Sequence, residues 1–383
     1  ITHNGVQIDV LNFGLHNIDA GPDFFNGKVK IGATTWAGNI ELHINSSDWI
    51  KHKHQNDKGY DNVILHVVYN NDKTILDRKG NAIPTLELKG LIDQQIIKKY
   101  TQLVHLPDSG IPCGEQIKTV DQFTISSWLN RLAIERLERK ATEIQKTLKL
   151  NKNNWEETFY QYLFKYFGLK VNALPFEWLA QKAPLKIIEK HHTVFSIEAL
   201  LFGQAGYLEA EIEDDYFNNL KKEYQFLKAK FELKSLDKSI WKMLRLRPSN
   251  FPTIRISQLA NLLSHQSRLF SKVISADSVV EIQKIFHSKS SDYWKTHYQF
   301  GHSVEKSTDK NIGLATINSV IINVIVPFIF VFGKAQQNDK LVEKALRLLE
   351  SIKAENNIII KNWEALGVKS NNAMQTQSLI ELK

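Results

Sequence analysis

Three residues with acid–base or metal-binding side chains suggest chemistry in this chain: Asp23, Glu41 and His43. Asp23 follows Gly21-Pro22, and Glu41 comes eighteen residues after it, with His43 two places further on. Two carboxylates can bind a divalent cation such as Mg²⁺ or Mn²⁺, which neutralises charge on phosphorus and activates water. His43 could orient or deprotonate that water, or bind the cation itself. Together the three residues predict a metal-dependent phosphodiesterase site.

Further metal-competent side chains follow within the next twenty residues. Asp48 and His52 are four residues apart and would share one face of a helix, whereas His54 and Asp57 are three apart and would share another. Only one of these pairs could then face the strand that bears Glu41. We expect His52 and His54 to be further candidate ligands, with Asp48 and Asp57 in supporting positions.

Histidines are concentrated near the start of the chain, where six of the 13 fall within the first 66 residues. This concentration supports a second hypothesis, a zinc or iron metallohydrolase in which a carboxylate joins several imidazoles. Its candidate ligands are His43, His52, His54 and His66. Structural alternatives remain for each residue: a turn at Asp23, an ion pair of Glu41 with His43 on a solvated sheet face, and a satisfied core position for His66.

Alternating strands are the elements that would position these side chains. The run Trp36 to Ile44 alternates, so that Glu41 and His43 lie on the same face of one strand. Asp23 stands at the start of the preceding strand, and pairing of the two strands would bring both acids together. A short helix capped by Ser46 or Ser47 is expected next. A buried strand over Val63 to Tyr69 follows it.

After about residue 90 the pattern changes from strands to long helices. We therefore predict an α+β protein with a small N-terminal mixed α/β nuclease-like module followed by a larger all-α helical domain. The predicted domains are residues 1–100, which hold the metal site, and residues 101–383, which could comprise two helical subdomains. The predicted helices of the second domain are Gln122–Leu150, Trp155–Tyr166, Glu177–Lys190, Asp215–Leu233, Ile256–Leu263, Ser278–Phe286 and Asp339–Asn357.

The overall charge favours an acidic partner. The 383-residue chain has a formal net charge of +8 and an isoelectric point near 9.2, and DNA or RNA is the natural polyanion. Three arginines around two prolines, Arg245, Arg247 and Arg255, could hold phosphates in a rigid loop. Lysines on solvated helix faces explain the same charge, so the composition leaves both interpretations open.

One apolar segment, Leu314 to Phe332, is about as long as a bilayer span. Polar residues and Pro327 interrupt it, which favours a buried helix ending near Pro327 and Gly333, and no membrane association. The first ten residues lack the pattern of a signal peptide. A single cysteine, Cys113, excludes an internal disulfide and suits the cytoplasm. We expect a cytoplasmic protein.

Pro22-Asp23 followed by Glu41-Leu42-His43, a helix and a buried strand resembles the core of the PD-(D/E)xK phosphodiesterase and nuclease superfamily. The resemblance implies that Asp23 and Glu41 bind the metal and that His43 takes the place of the lysine that helps to activate water. A neutral imidazole lacks the fixed positive charge of lysine. The resemblance therefore implies metal binding more directly than catalysis, and a non-catalytic nucleic-acid-binding protein with a degenerate nuclease fold is the third hypothesis.

A second resemblance covers nearly the whole chain. The motifs that carry it are Asn17 to Phe24, Gly38 to His43, Leu201 to Gly206 and Arg245 to Pro252. They are similar to those of an uncharacterised bacterial family of unknown function. This resemblance implies a family membership but no activity.

Overall fold

The computed structural model describes residues 5–104, 111 and 114–382, so Cys113 lies outside the described residues. The chain forms two compact units, Ile1–Asp108 and Ser109–Lys383. The first contains a mixed sheet and the second is mainly helical. This arrangement confirms the predicted α+β class, with a small mixed module preceding a larger helical region.

The first unit is built around one sheet, covered in part by short helices and turns. Its strands and helices are, in chain order, β1 (Ile8–Asn12), β2 (Leu15–His16), β3 (Phe24–Ile31), β4 (Thr34–Asn45), α1 (Asp48–Lys51), β5 (Val63–Asn70), β6 (Thr85–Glu87) and α2 (Gln94–Val104). The strand order is β1-β3-β4-β5-β6, and β2 pairs with β3. β3 runs antiparallel to β4, whereas β4, β5 and β6 are parallel.

The pairing of β4 with β5 decides which side chains meet. Its register places Glu41 opposite His66 and His43 opposite Val68. Opposite residues of paired strands point to the same face of a sheet. His66 therefore lies beside Glu41, on the face that also carries His43.

That face is buried, although it carries the polar residues of β4. The side chains of Glu41 and His43 are 6% and 5% exposed, whereas Leu42 and Ile44 on the opposite face are 42% and 71% exposed. The reason is that the segment following β4 folds over the polar face and packs Trp49, itself 2% exposed, against it. The alternative of an ion pair on a solvated sheet face is therefore wrong.

The second unit consists of helices with one small hairpin. Its helices are α3 (Gln122–Leu150), α4 (Trp155–Phe167), α5 (Leu169–Lys182), α6 (Leu185–Ile188), α7 (Val194–Gln204), α8 (Asp215–Phe231), α9 (Pro252–His265), α10 (Leu269–Ser275), α11 (Val279–Ile285), α12 (Leu314–Val320), α13 (Val326–Ala335), α14 (Asp339–Ser351), α15 (Ile358–Ala365) and α16 (Ala373–Leu382). The hairpin strands are β7 (His297–Gln299) and β8 (His302–Ser303).

The predicted helix bounds agree best with the structure where a capping residue marks the start of the helix. The bounds of α3 match the prediction, and the side chain of Asp121 accepts a hydrogen bond from the backbone N–H of Thr124 at its start. α9 begins at Pro252, four residues before its predicted start, since proline fits the first turn of a helix. The helix predicted over Glu177–Lys190 is wrong: α5 ends at Lys182 and the short α6 follows Pro184.

The helix α7 packs closely on α8 through a glycine. A Cβ atom at Gly203 would lie 2.1 Å from the ring of Tyr224 on α8. Gly206, with a φ of +78°, follows in the left-handed conformation that ends many helices. Gly203 therefore allows α7 and α8 to pack closely, and Gly206 follows the end of α7.

The apolar segment continues through its proline instead of ending there. Residues Leu314–Ala335 form one helix that is long and apolar enough to cross a membrane. Its middle, Ile321–Ile325, is a wider π-helical turn, and Pro327 is the second residue after it. Such a turn re-routes backbone hydrogen bonds and accommodates a proline inside a helix. Of its most apolar window, 67% is buried within the protein, so this helix forms part of the core of the helical unit.

Candidate metal centre

Asp23 and Glu41 are tied together across the β3–β4 pair. The backbone N–H of Asp23 donates to Glu41 Oε2 at 3.0 Å, and the N–H of Leu42 donates to Asp23 Oδ2 at 2.9 Å. These bonds lie beside an irregularity in the strand register between Phe24 and Gly27. Each carboxylate thus satisfies a backbone donor of the other strand. The remaining oxygen of Glu41, Oε1, faces the histidines.

A tight loop sets the position of Asp23. The side-chain amide of Asn17 donates to the carbonyl oxygens of Asp19 at 2.9 Å and Pro22 at 3.0 Å. The backbone N–H of Asn17 donates to the carbonyl of Asp23 at 2.6 Å. Gly21 has a φ of +107°, which glycine adopts without strain. Asn17 therefore holds the loop that directs Asp23 toward Glu41.

His66 supports His43 from the neighbouring strand. Its Nε2 lies 2.8 Å from Nδ1 of His43. His66 is fully buried, and its Nδ1 has no hydrogen-bond partner among the described residues. Burial lowers the pKa of His66 to about 4, with the nearby His43 as a smaller cause. His66 is a core histidine, but with Nδ1 unpaired among the described residues it is not the satisfied one that the alternative expected, and its Nε2 contacts the ring of His43.

His52 and His54 both turn toward His43, which corrects the prediction that only one of them could face the strand of Glu41. The helix α1 ends at Lys51, and Lys53 adopts the left-handed conformation with a φ of +63°. The turn at Lys53 reverses the direction in which the next side chain points. His52 Nδ1 lies 3.1 Å from Nε2 of His43, and the ring centroids of His54 and His43 are 5.3 Å apart.

The three histidines form a group suited to a metal ion. One ring nitrogen from each of His43, His52 and His54 lies within 4.8 Å of the other two. Glu41 Oε1 lies 3.7 Å from Nε2 of His43 and 3.4 Å from Nε2 of His54. That nitrogen of His54 is buried and has no hydrogen-bond partner in the part of the chain that the structure describes. The three imidazoles could therefore hold a metal ion, and Glu41 Oε1 lies next to two of them.

Burial shifts the pKa values of several groups in the cluster. Burial and then the charge of Asp23 raise the pKa of Glu41 to about 7, so its carboxyl group is partly protonated near neutral pH. Burial, followed by His43 and His52, lowers the pKa of His54 to about 4, and burial also lowers the pKa of His43. The His43 and His54 rings are therefore neutral near pH 7, each with one ring nitrogen that carries no hydrogen. Metal ligation requires neutral imidazoles.

Aromatic side chains form the inner wall of the cluster. The ring of Tyr60 stacks on His54 with centroids 3.8 Å apart, and Trp49 packs against both His54 and His66 at 5.3 Å. Burial, with Glu41 as the next cause, raises the pKa of Tyr60 to about 12. The outer side of the cluster is open, because His52 is exposed. Solvent can therefore reach one side of the group.

Asp48 and Asp57 serve the backbone of the segment that carries the histidines. Asp48 accepts from the N–H of Asn45 at 2.9 Å and from the ammonium of Lys51 at 2.6 Å. The Lys51 ammonium is the largest cause of the lowered pKa of Asp48. Asp57 accepts from the N–H of Gly59 at 2.8 Å. Both acids stay in the supporting positions that the sequence analysis gave them.

Asp72 was not found by the sequence analysis, yet it anchors the start of α1. Its two carboxylate oxygens accept from the hydroxyls of Ser46 at 2.9 Å and Ser47 at 2.7 Å, and from the N–H of Ser47 at 2.9 Å. These bonds lower the pKa of Asp72 to about 2. Neither serine caps α1 with its side chain, so the predicted N-cap is replaced by this long-range anchor.

The three predicted phosphate-binding arginines differ in their surroundings. Arg255 is 5% exposed, and its guanidinium donates to Gln258 at 3.0 Å and to Asn250 at 2.7 Å. It is therefore not available to a phosphate at the surface, which corrects its prediction as a nucleic-acid contact. Arg245 and Arg247 are exposed.

Comparisons with known proteins add a family but no activity. Residues 1–358 match the family described as "Protein of unknown function (DUF2851)". No curated protein and no solved structure matches the chain. With nearly its whole length matched, the chain belongs to the DUF2851 family of proteins of unknown function.

Proposed function

We propose that the protein is a metal-dependent hydrolase of the phosphodiesterase or nuclease type. Its cation is held by the ring nitrogens of His43, His52 and His54 together with Glu41 Oε1. The observation that carries the proposal is the group of three imidazole nitrogens within 4.8 Å of one another, next to the buried carboxylate of Glu41.

The donor set supports Zn²⁺ or Fe²⁺ more than the Mg²⁺ or Mn²⁺ expected from the two acids alone. Imidazole nitrogen suits zinc and iron, whereas Mg²⁺ prefers oxygen ligands and keeps several waters. Asp23 Oδ2 and Glu41 Oε2 each accept a backbone N–H. Asp23 thereby becomes a positioning residue, which orients Glu41 toward the imidazoles.

The neutral state of the cluster also favours a cation. Nε2 of His54 and Oε1 of Glu41 lie 3.4 Å apart. A neutral imidazole has one N–H and one lone pair, so His43, His52 and His54 can each offer one nitrogen without a hydrogen to a cation. A cation would stabilise these donors together with Glu41 Oε1, since the other oxygen of Glu41, Oε2, already accepts from the N–H of Asp23.

Hydrolysis is supported by the open side of the cluster. Catalytic zinc sites keep one position open to water, whereas structural sites are closed, and the exposed side at His52 would leave such a position beside the four proposed ligands. When bound, such an ion would act as a Lewis acid on a phosphoryl oxygen. His66 holds the ring of His43 from behind, as outer partners of metal-binding histidines do. The resemblance of the strands bearing Asp23 and Glu41 to a nuclease core supports the phosphodiester as substrate.

Metal analysis followed by activity assays tests the proposal. We expect the purified protein to retain about one zinc or iron per chain, and His52→Ala to lose it. His16→Ala is the matched control, because His16 is exposed in the same unit and its ring packs on Phe24 outside the cluster. Cleavage of bis(p-nitrophenyl) phosphate and of single-stranded DNA should follow metal content across these variants.

Three results would contradict parts of the proposal. Activity with Mg²⁺ alone that survives His52→Ala and is lost in Asp23→Asn would favour the two-acid site over the imidazole site. If the protein retains one metal ion per chain but cleaves no phosphodiester, the ion has a structural role. Nucleic-acid binding without metal or cleavage would favour a degenerate nuclease fold.

A further inference from the structure

The positive charge of this protein is unevenly distributed between the two units. Unit Ile1–Asp108 contains 11 Lys and Arg against 12 Asp and Glu, and unit Ser109–Lys383 contains 38 against 29. Within the second unit, residues 221–247 hold nine Lys and Arg against three Asp and Glu. These residues, which we call the basic segment, comprise the second half of α8 and the loop that follows it.

Most of this charge is not neutralised within the protein. Lys221 pairs with Glu211 at 2.6 Å. The following cations of the basic segment form no ion pair within the described part of the chain: Lys222, Lys228, Lys230, Lys234, Lys238 and Arg247. Of the acids in the segment, Glu223 accepts from the hydroxyl of Ser196 at 3.0 Å and Asp237 from the N–H of Ser239 at 2.8 Å.

Aromatic rings are interleaved with the lysines. The ammonium of Lys230 lies 5.7 Å from the ring centroid of Phe226 and 5.3 Å from that of Phe231, and the ammonium of Lys190 also lies 5.3 Å from the centroid of Phe231. Phe226 is 62% exposed. An exposed ring among unpaired cations combines a stacking surface with positive charge in one short stretch of chain.

We propose that the basic segment is a binding surface for single-stranded nucleic acid. Its unpaired cations would contact backbone phosphates, and the exposed ring of Phe226 would stack on a base. Proteins that bind single strands combine these two features, a positive track for the backbone and aromatic platforms for the bases. Arg247 extends the surface at its end, whereas the buried Arg255 lies outside it. The choice of nucleic acid among polyanions rests on the proposed function.

Fluorescence anisotropy with a labelled 20-nucleotide single strand in EDTA tests this proposal without the metal centre. Lys230→Glu with Lys234→Glu should flatten the plot of log affinity against log salt by about 1.4, because each lost phosphate contact lowers the slope by about 0.7. Phe226→Ala should weaken binding about tenfold with the slope unchanged, since stacking is not ionic. The charge-matched control is Lys361→Glu with Lys369→Glu, two exposed lysines elsewhere in the same unit.

Several outcomes would overturn the proposal. The control pair could lose as much affinity as the test pair, or both test variants could bind like the wild type. Binding to vesicles of phosphatidylglycerol and phosphatidylcholine, without binding to the oligonucleotide, would make the segment a membrane contact. Circular dichroism confirms that each variant is folded. If the protein binds the oligonucleotide in EDTA but cleaves no phosphodiester with any metal, only the proposed hydrolase activity is wrong. If the protein cleaves phosphodiesters and both test variants keep the affinity of the wild type, only the proposed binding surface is wrong.

Discussion

Two carboxylates are buried in the described part of the chain, one in each unit, and their surroundings are opposite in chemistry. Glu41 is 5% exposed and faces the ring nitrogens of His43 and His54. Glu198 on α7 is fully buried and accepts hydrogen bonds from the hydroxyls of Tyr216 and Ser291. Burial raises the pKa of both.

The difference shows how a buried acid can indicate either a core network or a metal site. Hydroxyl donors supply hydrogen atoms to Oε2 of Glu198, whereas its Oε1 has no hydrogen-bond partner among the described residues. The neighbours of Glu41 Oε1 are instead the ring nitrogens of His43 and His54, which can also bind a cation. The type of neighbour, more than the raised pKa, therefore separates the two sites.

The largest expected effect is local protection of the first unit by metal. With Zn²⁺ at 100 times its dissociation constant, binding should stabilise that unit by about 2.7 kcal/mol. Amide hydrogen exchange in β4 and β5 should then slow about 100-fold, while α7 and α8 around Glu198 stay unchanged. Equal slowing in both units, or none in β4 and β5, would remove the contrast between the two acids.

Substitution of each acid by glutamine should separate them directly. Glu41→Gln replaces an anionic ligand by a neutral amide and should lower Zn²⁺ affinity about 10- to 100-fold in calorimetric titration. Glu198→Gln lies in the other unit and should leave the affinity unchanged. If both variants bind Zn²⁺ like the wild type, Glu41 is not a ligand.

The anchor of α1 should have a smaller effect on the metal site. Asp72→Asn removes the anionic acceptor that holds Ser46 and Ser47, and so loosens the segment that carries His52 and His54. Zn²⁺ affinity should fall by about tenfold. Asp61→Asn is the control, because Asp61 is also exposed in this unit and pairs with Arg78 away from the two serines. Equal losses in both variants would indicate a general charge effect.

The smallest expected effect is a change in the pH dependence of stability. The native pKa of Glu198 is raised above its ordinary value of 4.5, so the folded state holds this proton when the unfolded state has lost it. Its contribution to stability is therefore complete below pH 4.5 and declines as pH rises toward the native pKa. Glu198→Gln should flatten this decline in urea unfolding and change stability at pH 4 by less than about 1 kcal/mol. A steeper decline would contradict the assignment.

Local sequence signals were sufficient for part of the site. Strand alternation placed Glu41 and His43 on one face because the side-chain period of a strand is two. The buried strand over Val63 to Tyr69 followed from its continuous apolar run, and β5 spans Val63–Asn70.

Contacts between distant residues account for what the sequence did not reveal. The place of His66 beside Glu41 depends on the parallel register of β4 with β5, which no local pattern encodes. Asp72 binds serines about 25 residues earlier in the chain. Arg255 is a charged residue close to two prolines, so the sequence favours a place at the surface. Only the packing of α9 shows that it is buried.

The left-handed conformation of Lys53 affects how relatives of this site can be recognised. Two histidines separated by one residue share a face in a strand but diverge on a helix. A search by residue spacing would therefore dismiss His52 and His54 as a pair whenever a helix is assigned there. A search by backbone geometry, with a short helix, one residue of positive φ and a second histidine as its template, would retain them.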